Sequence, residues 1–177
     1  HGRTMEFVDV HMIIDGFSAR VMREYFRHVG GMTPYLQAST RYINYEDFNI
    51  IRPKSIESNK EALIEFNGTT KQLRETLENL KDLGIPNEDV ANLLPLGMTT
   101  KCVEKRNLRN IVDMSHVRKC SRAYHEFRLD LFPTIENELK NYSDQWNWIV
   151  YNLFKPKCEI YGYCDEAKSC GRKPKRQ

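Results

Sequence analysis

The sequence predicts an α+β protein of one domain, residues 1–177, with a mixed or antiparallel sheet packed against helices. Three observations carry this. Met5–Ile14 is dense in β-branched and large apolar residues, and Met98–Glu104 alternates, so both read as strands. Leu73, Leu77, Leu80 and Leu83 recur at helical spacing, as do apolar residues between positions 107 and 142. No internal repeat or low-complexity linker divides the chain.

After the first strand, Asp15-Gly16 reads as a turn. Ser18 is placed to cap a helix over Ala19–His28, its hydroxyl accepting from first-turn N–H groups. Val21, Met22, Tyr25 and Phe26 face inward there, Arg20, Arg23, Glu24 and Arg27 take the other positions, and Gly30-Gly31 stops the helix. Thr40–Tyr45 and Phe48–Arg52 read as extended, ended by Pro53. The leucine-spaced helix closes at Gly84 and Pro86, and a shorter helical piece spans Asn87–Leu94 before Pro95. Asn107 or Asn110 opens a long helix to about Tyr142 that Pro133 kinks or divides. Ser143–Leu153 is a last amphipathic helix carrying Trp146 and Trp148.

With 40% hydrophobic and 29% charged residues, the composition is that of a folded globular chain and excludes a disordered one. No apolar run approaches the roughly 20 residues of a membrane helix. No signal peptide is visible either, so the expectation is a cytoplasmic protein with no membrane partner. The chain opens on His1 rather than methionine, so a further N-terminal segment is expected before it. A net charge of +3 is too modest to mark a dedicated nucleic-acid binder. Five cysteines, an odd number, argue against a disulfide framework. Cys158, Cys164 and Cys170 lack the two-residue gap of a zinc knuckle. Free thiols are expected and no metal is assigned, with zinc on this trio plus a fourth ligand as the alternative. Residues 155–177 form a cysteine-bearing basic tail whose end, Gly171–Gln177, reads as frayed and solvated.

Two segments concentrate anion-binding chemistry. In Arg27–Tyr42 a helix carrying arginines runs into a glycine-broken loop and on to Gln37-Ala38-Ser39-Thr40-Arg41. The glycines permit close backbone approach to a ligand. Arginine supplies forked donors for phosphate, and Gln37, Ser39 and Thr40 add neutral hydrogen bonds. In the long helix, Val117, Cys120, Tyr124, Phe127 and Leu131 form a buried seam, and Arg118, Ser121, His125 and Arg128 lie on the adjoining face. Arg118, Lys119 and Arg122 crowd positive charge, with Glu126 placed to compensate Arg122. The surplus points to a polyanionic ligand or an acidic neighbouring subunit, the alternative being a solvated basic face. Cys120 on the seam and Cys102 in a strand read as structural thiols rather than nucleophiles.

The order of motifs is also informative. Arg27-His28 and Ser39-Thr40-Arg41-Tyr42 are followed by Leu94–Lys101, by Arg106-Asn107-Leu108-Arg109, and by Arg118–Arg128. Over about residues 1–128 this resembles the flavin-dependent thymidylate synthase family. The resemblance implies a thymidylate synthase-complementing-protein-like fold and a homotetramer with FAD at subunit junctions. It also implies reductive methylation of dUMP to dTMP, with 5,10-methylenetetrahydrofolate as one-carbon donor and NADPH as reductant. By the same resemblance, Arg3, Glu6, Arg27, His28, Val29, Gln37, His116, Val117, Arg118 and Arg122 contact FAD, with His1 and Glu6 on the family's His-x-x-x-x-Glu pattern. Glu24, Arg27, Gln37, Ala38, Ser39, Thr40, Arg41, Lys101 and Arg128 contact dUMP, and Arg128 is the catalytic residue that polarises the pyrimidine.

The chain departs from the pattern in places. Val29 stands where the signature has its second arginine, and the loop to Ser39 is longer than the common form. Glu24 replaces a frequent glutamine, and Lys101 a usual arginine, which loses bidentate geometry. These departures motivate one alternative, a related flavoenzyme acting on another pyrimidine nucleotide. A second alternative, a basic nucleic-acid-binding module, rests on arginines interleaved with Tyr25, Tyr35, Tyr42 and Tyr124, plus the basic tail. A third, a small zinc-stabilised interaction protein, rests on the cysteine tail.

Overall fold

Apolar density at the N-terminus is split between two conformations. Gly2–Phe7 forms a 3₁₀ helix, and strand β1 then runs Asp9–Ser18, starting and ending later than the expected strand. Gly16 takes φ +79°, a left-handed value that glycine adopts without strain, so β1 absorbs the expected turn. Ser18 caps helix α1 (Ala19–Tyr25) as predicted: Val21 N–H donates to its Oγ at 3.0 Å. The N–H groups of Ala19 and Arg20 donate to the carbonyls of Met98 and Leu96, each at 2.8 Å, so the first-turn donors are largely accounted for. The helix ends short of the expected His28, with Phe26 and Arg27 in a turn.

The computed structural model describes residues 2–28, 34–42 and 47–176. The expected Gly30-Gly31 stop, Val29, His1 and positions 43–45 of the expected Thr40–Tyr45 strand lie outside the described residues. Strand β2 (Tyr35–Gln37) pairs antiparallel with the later strand β3 (Thr99–Asn107), Leu36 opposite Val103, in a sheet of order β1-β3-β2. Thr40–Tyr42 turns instead of extending. Ser39 competes with the sheet ladder: its Oγ accepts from Arg41 N–H at 3.3 Å and its carbonyl from Tyr42 N–H at 3.4 Å. The expected Phe48–Arg52 extension reduces to one antiparallel bridge, Ile50 with Met98, where a Cβ on Gly97 would meet Ile50 Cγ1 at 3.2 Å.

The chain forms two compact units, His1–His11 with Tyr25–Pro34 and Lys105–Gln177, and Met12–Glu24 with Tyr35–Glu104. The backbone passes between them four times, so no single cut in the sequence separates them. The second unit carries α2 (Lys54–Glu57), α3 (Lys60–Asp82) and α4 (Asn87–Val90). Asn59 caps α3 through Oδ1, and Gly84 at φ +77° closes it as expected. Leu77 joins Phe48 and Met98 in the core, whereas Leu83 is exposed.

The expected helix from Asn107 to Tyr142 is broken. Asn107 Oδ1 caps α5 (Leu108–Arg118) through Asn110 N–H, at 2.9 Å, and the chain leaves the helix at Lys119. It resumes in a π-helical turn, Phe127–Leu131, that leads into α6 (Phe132–Tyr142). Pro133 sits in the first turn of α6, where its missing N–H is tolerated, and the widened π turn covers the residues its ring would crowd. The predicted seam is therefore interrupted: Phe127 and Leu131 are buried, Cys120 and Tyr124 half-buried, and Val117 exposed. The core of this unit is a relay of rings, Tyr25 to Phe127 at 5.9 Å, Phe127 to Phe132 at 6.4 Å and Phe132 to Phe154 at 5.8 Å. The expected Ser143–Leu153 helix forms as α7 (Asp144–Leu153), with Ser143 Oγ as its cap, and α8 (Lys157–Tyr161) ends at Gly162. The basic end is pinned rather than frayed: Cys164 N–H donates to Pro174 O at 2.7 Å, and Arg172 Nη1 to Lys119 O at 3.2 Å. No described helix is long and apolar enough to cross a membrane.

Candidate active site

The first unit gathers most of the residues assigned to the flavin. His28 follows the turn that carries exposed Arg27, and its Nε2 accepts from Arg118 Nε at 2.7 Å. Arg118 lies 4.8 Å above the Phe127 ring, with the His28 ring edge-on to Phe127 at 6.3 Å. His28, Arg118 and Phe127 thus form one assembly. His116, half-buried two residues before Arg118, bonds through Nδ1 to the Lys155 carbonyl at 3.2 Å. Burial holds its pKa below the ordinary imidazole value, with Arg109 and Lys157 acting the same way against the opposing charge of Asp113. Val117 and Arg122 are exposed, and Arg3 and Glu6 are exposed on the 3₁₀ helix, which packs on α5.

Arg128 lies in the π turn. Its Nε is buried and has no hydrogen-bond partner among the described residues. Arg74 Nε shares that state, but its carboxylate neighbour Asp47 lies at 3.9 Å and its own Nη2 donates to Phe48 O. A buried guanidinium N–H without an acceptor costs about 1–3 kcal/mol or more, so this position favours a ligand or segment that supplies one.

The cationic surplus around residues 118–122 is smaller than its local sequence suggests. Lys119 pairs with Glu136, and Arg122 pairs with Glu166 at 3.2 Å rather than with Glu126, which is buried. The compensating carboxylates come from distant segments, which a four-residue window cannot see.

The second unit holds most of the nucleotide candidates. Gln37 ends β2, its Nε2 3.4 Å from Thr100 Oγ1, and Ala38 N–H donates to the Lys101 carbonyl at 2.9 Å. Ser39, Thr40 and Arg41 make the tight turn that follows, while Glu24 is half-buried on α1. Arg41 Nε pairs with Glu88 at 2.8 Å and Lys101 Nζ with Asp15 at 2.6 Å, all four side chains being exposed.

Arg106 was not singled out by its residue type. It is buried on the inward face of β3, where Nη1 donates to the His28 carbonyl and to Asn110 Oδ1, with the guanidinium 4.5 Å above the Tyr25 ring. It fixes the backbone from which His28 projects. The signal was the alternation of the strand: Thr100, Cys102, Glu104 and Arg106 share its buried face, and three of the four are polar.

Planar rings beside paired cations, with a buried arginine Nε that has no partner among the described residues, suit an anionic aromatic ligand. Residues 1–140 match the sequence model of the family described as thymidylate synthase complementing protein. The flavin-dependent thymidylate synthase of Thermococcus kodakarensis is 30% identical over 173 residues, covering 95% of this chain and 69% of that protein. That of Pyrococcus horikoshii is 31% identical over 172 residues, covering 95% and 70%. A flavin-dependent thymidylate synthase from Helicobacter pylori, solved with FAD and dUMP, shares the fold at a TM-score of 0.68 and 18% identity, over 88% of this chain and 77% of that one. The chain belongs to the thymidylate synthase complementing protein family, the flavin-dependent thymidylate synthases.

Proposed function

We propose that this protein methylates dUMP reductively to dTMP, taking the carbon from 5,10-methylenetetrahydrofolate and reducing equivalents from NADPH through FAD. Beyond family membership, the observation that carries this reading is Arg128, whose buried Nε–H on a π turn has no partner among the described residues. Uracil C5 is a poor nucleophile, and negative charge gathers on the ring oxygens as it reacts. A preorganised, desolvated arginine stabilises that charge without reorganising. The half-buried thiol of Cys120 and the buried thiol of Cys102 are not needed as nucleophiles.

FAD, when bound, supplies the redox chemistry. The donor set fits it: Arg3, Arg27 and Arg122 are exposed cations for a pyrophosphate, and the His28–Arg118–Phe127 assembly offers oriented polar groups beside a ring. Glu6, Val29, Gln37, His116 and Val117 complete the flavin set in this reading. The turn Gln37–Arg41, with Glu24, Arg27 and Lys101, holds the nucleotide. Exposed ion pairs are worth at most about 1 kcal/mol, so a phosphate dianion readily takes Arg41 and Lys101 from Glu88 and Asp15.

A cytoplasmic homotetramer, each subunit a single domain with sites shared between subunits, completes the proposal. One sheet face supports it. Ile13, Leu36 and Val103 are 72%, 78% and 48% exposed. Leu36 pairs directly with Val103, and the Asp15–Lys101 ion pair shows that Ile13 and Val103, each two residues away, point the same way.

The deciding experiment combines an absorption spectrum of the purified protein with product analysis on dUMP and dCMP. Flavin bands and dTMP from dUMP are expected, and Arg128→Ala should stay flavin-loaded while losing dTMP formation. A full rate in that variant removes the role of Arg128. A colourless protein that binds polynucleotide in a salt-dependent way restores the nucleic-acid reading, and a product from dCMP alone restores the other nucleotide.

A further inference from the structure

Four of the five cysteines, Cys120, Cys158, Cys164 and Cys170, line one cavity of about 140 Å³ beside the C-terminal end of α5. They are free thiols, and the described residues contain no cluster of His, Cys, Asp or Glu able to hold a metal ion. The gathering of four thiols at one cavity calls for an account of its own. The set is graded: Cys164 is buried, Cys120 and Cys158 half-buried, and Cys170 exposed. Cys170 is also held in place. Gly171 N–H donates to Ser169 Oγ at 3.2 Å and Arg172 Nη1 to the Lys119 carbonyl, so the thiol is fixed against the segment that carries Cys120. Ser121 and the backbone of Arg172 lie close enough to favour the thiolate over the thiol. With the Arg172 charge nearby, they hold the thiol below its ordinary pKa. At the rim, Arg122, Lys157, Lys168 and Arg172 outnumber Asp165 and Glu166.

We propose that this cavity is a thiol-oxidation site for hydrogen peroxide, in which Cys170 is the attacking thiolate and Cys120, next to Ser121, closes a disulfide with it. In the first step the Cys170 sulfur attacks a peroxide oxygen and the O–O bond breaks. Hydroxide leaves and takes a proton to become water, so sulfur is oxidised to sulfenic acid as the peroxide is reduced. In the second step the Cys120 thiolate attacks that sulfur and the S–O bond breaks. The departing hydroxide is again protonated, so two thiols and one peroxide give one disulfide and two waters.

Purified protein is exposed to hydrogen peroxide with and without dimedone, its remaining thiols are blocked, and the peptides are mapped by mass spectrometry. The wild type is expected to gain a Cys120–Cys170 disulfide. Cys120→Ser is expected to carry a dimedone adduct on Cys170, and Cys170→Ser, a change at an exposed position, to show neither. Iodoacetamide titrated against pH should alkylate Cys170 first, with its midpoint below the ordinary thiol value. Adducts spread without preference for Cys170, a disulfide that omits it, or oxidation unchanged in Cys170→Ser overturns the proposal.

Discussion

Hydrogen-bond roles fix the protonation of two histidines. An arginine Nε can only donate, so its 2.7 Å contact leaves the lone pair on His28 Nε2 and the proton of the neutral ring on Nδ1. His116 faces a carbonyl through Nδ1, so the proton sits there and Nε2 is its acceptor. Because burial lowers the folded pKa of His116 below 6.5, the unfolded chain binds more protons as pH falls through that value. The contribution of this residue is intact above about pH 6.5 and is lost progressively below it. Urea midpoints measured downward from neutral pH should fall less steeply in His116→Gln than in the wild type, and equal slopes would refute the assignment. Arg106 gives a second residue-scale expectation. Arg106→Met strands the His28 carbonyl and Asn110 Oδ1, so it should lower unfolding free energy by about 2–4 kcal/mol, with Arg106→Lys intermediate. If Arg106→Met matches the wild type in urea, Arg106 does not anchor His28. Arg128, His28 and Arg118 were legible because motif order exposes them. Arg106 was hidden because its role depends on a carbonyl 78 positions away in the chain.

Helix starts were the most legible elements, since a cap is a local contact. Ser18 accepts a first-turn N–H as its position implied, Asn107 does so rather than Asn110, and Ser143 caps the helix it was expected to begin. Ser18 is also buried, so water cannot replace the lost acceptor, and Ser18→Ala should cost about 1–2 kcal/mol in a urea titration. A change within experimental error would mean that the Met98 and Leu96 carbonyls hold the helix start without it. Where tertiary contacts decide, the sequence pattern failed. The chain leaves its helix after Arg118, where the Arg118 guanidinium is drawn over Phe127 and the Lys119 carbonyl is taken by Arg172 from the far end of the chain. Strand β2 was missed because three exposed residues show no alternation, and what holds them is the β3 backbone.

At the scale of the whole molecule, the exposed sheet face is the main imbalance. Burying a side chain the size of leucine or valine stabilises by about 1.5–3 kcal/mol, so leaving Ile13, Leu36 and Val103 in water forgoes a sizeable sum in every copy. The Asp15–Lys101 pair sits beside this patch and supplies a polar edge of both signs, which suits a face that meets a second copy of itself. Light scattering at micromolar concentration should therefore give the mass of a tetramer for the wild type. Leu36→Asp combined with Val103→Asp places two carboxylates opposite each other on that face, and burying unpaired charge costs far more than the lost apolar contact. The double variant should elute as a smaller species with its far-UV circular dichroism retained, since both side chains point to solvent in the single chain. If it keeps the mass of the wild type, the subunits meet through another surface, and the apolar face of the sheet has a different occupant.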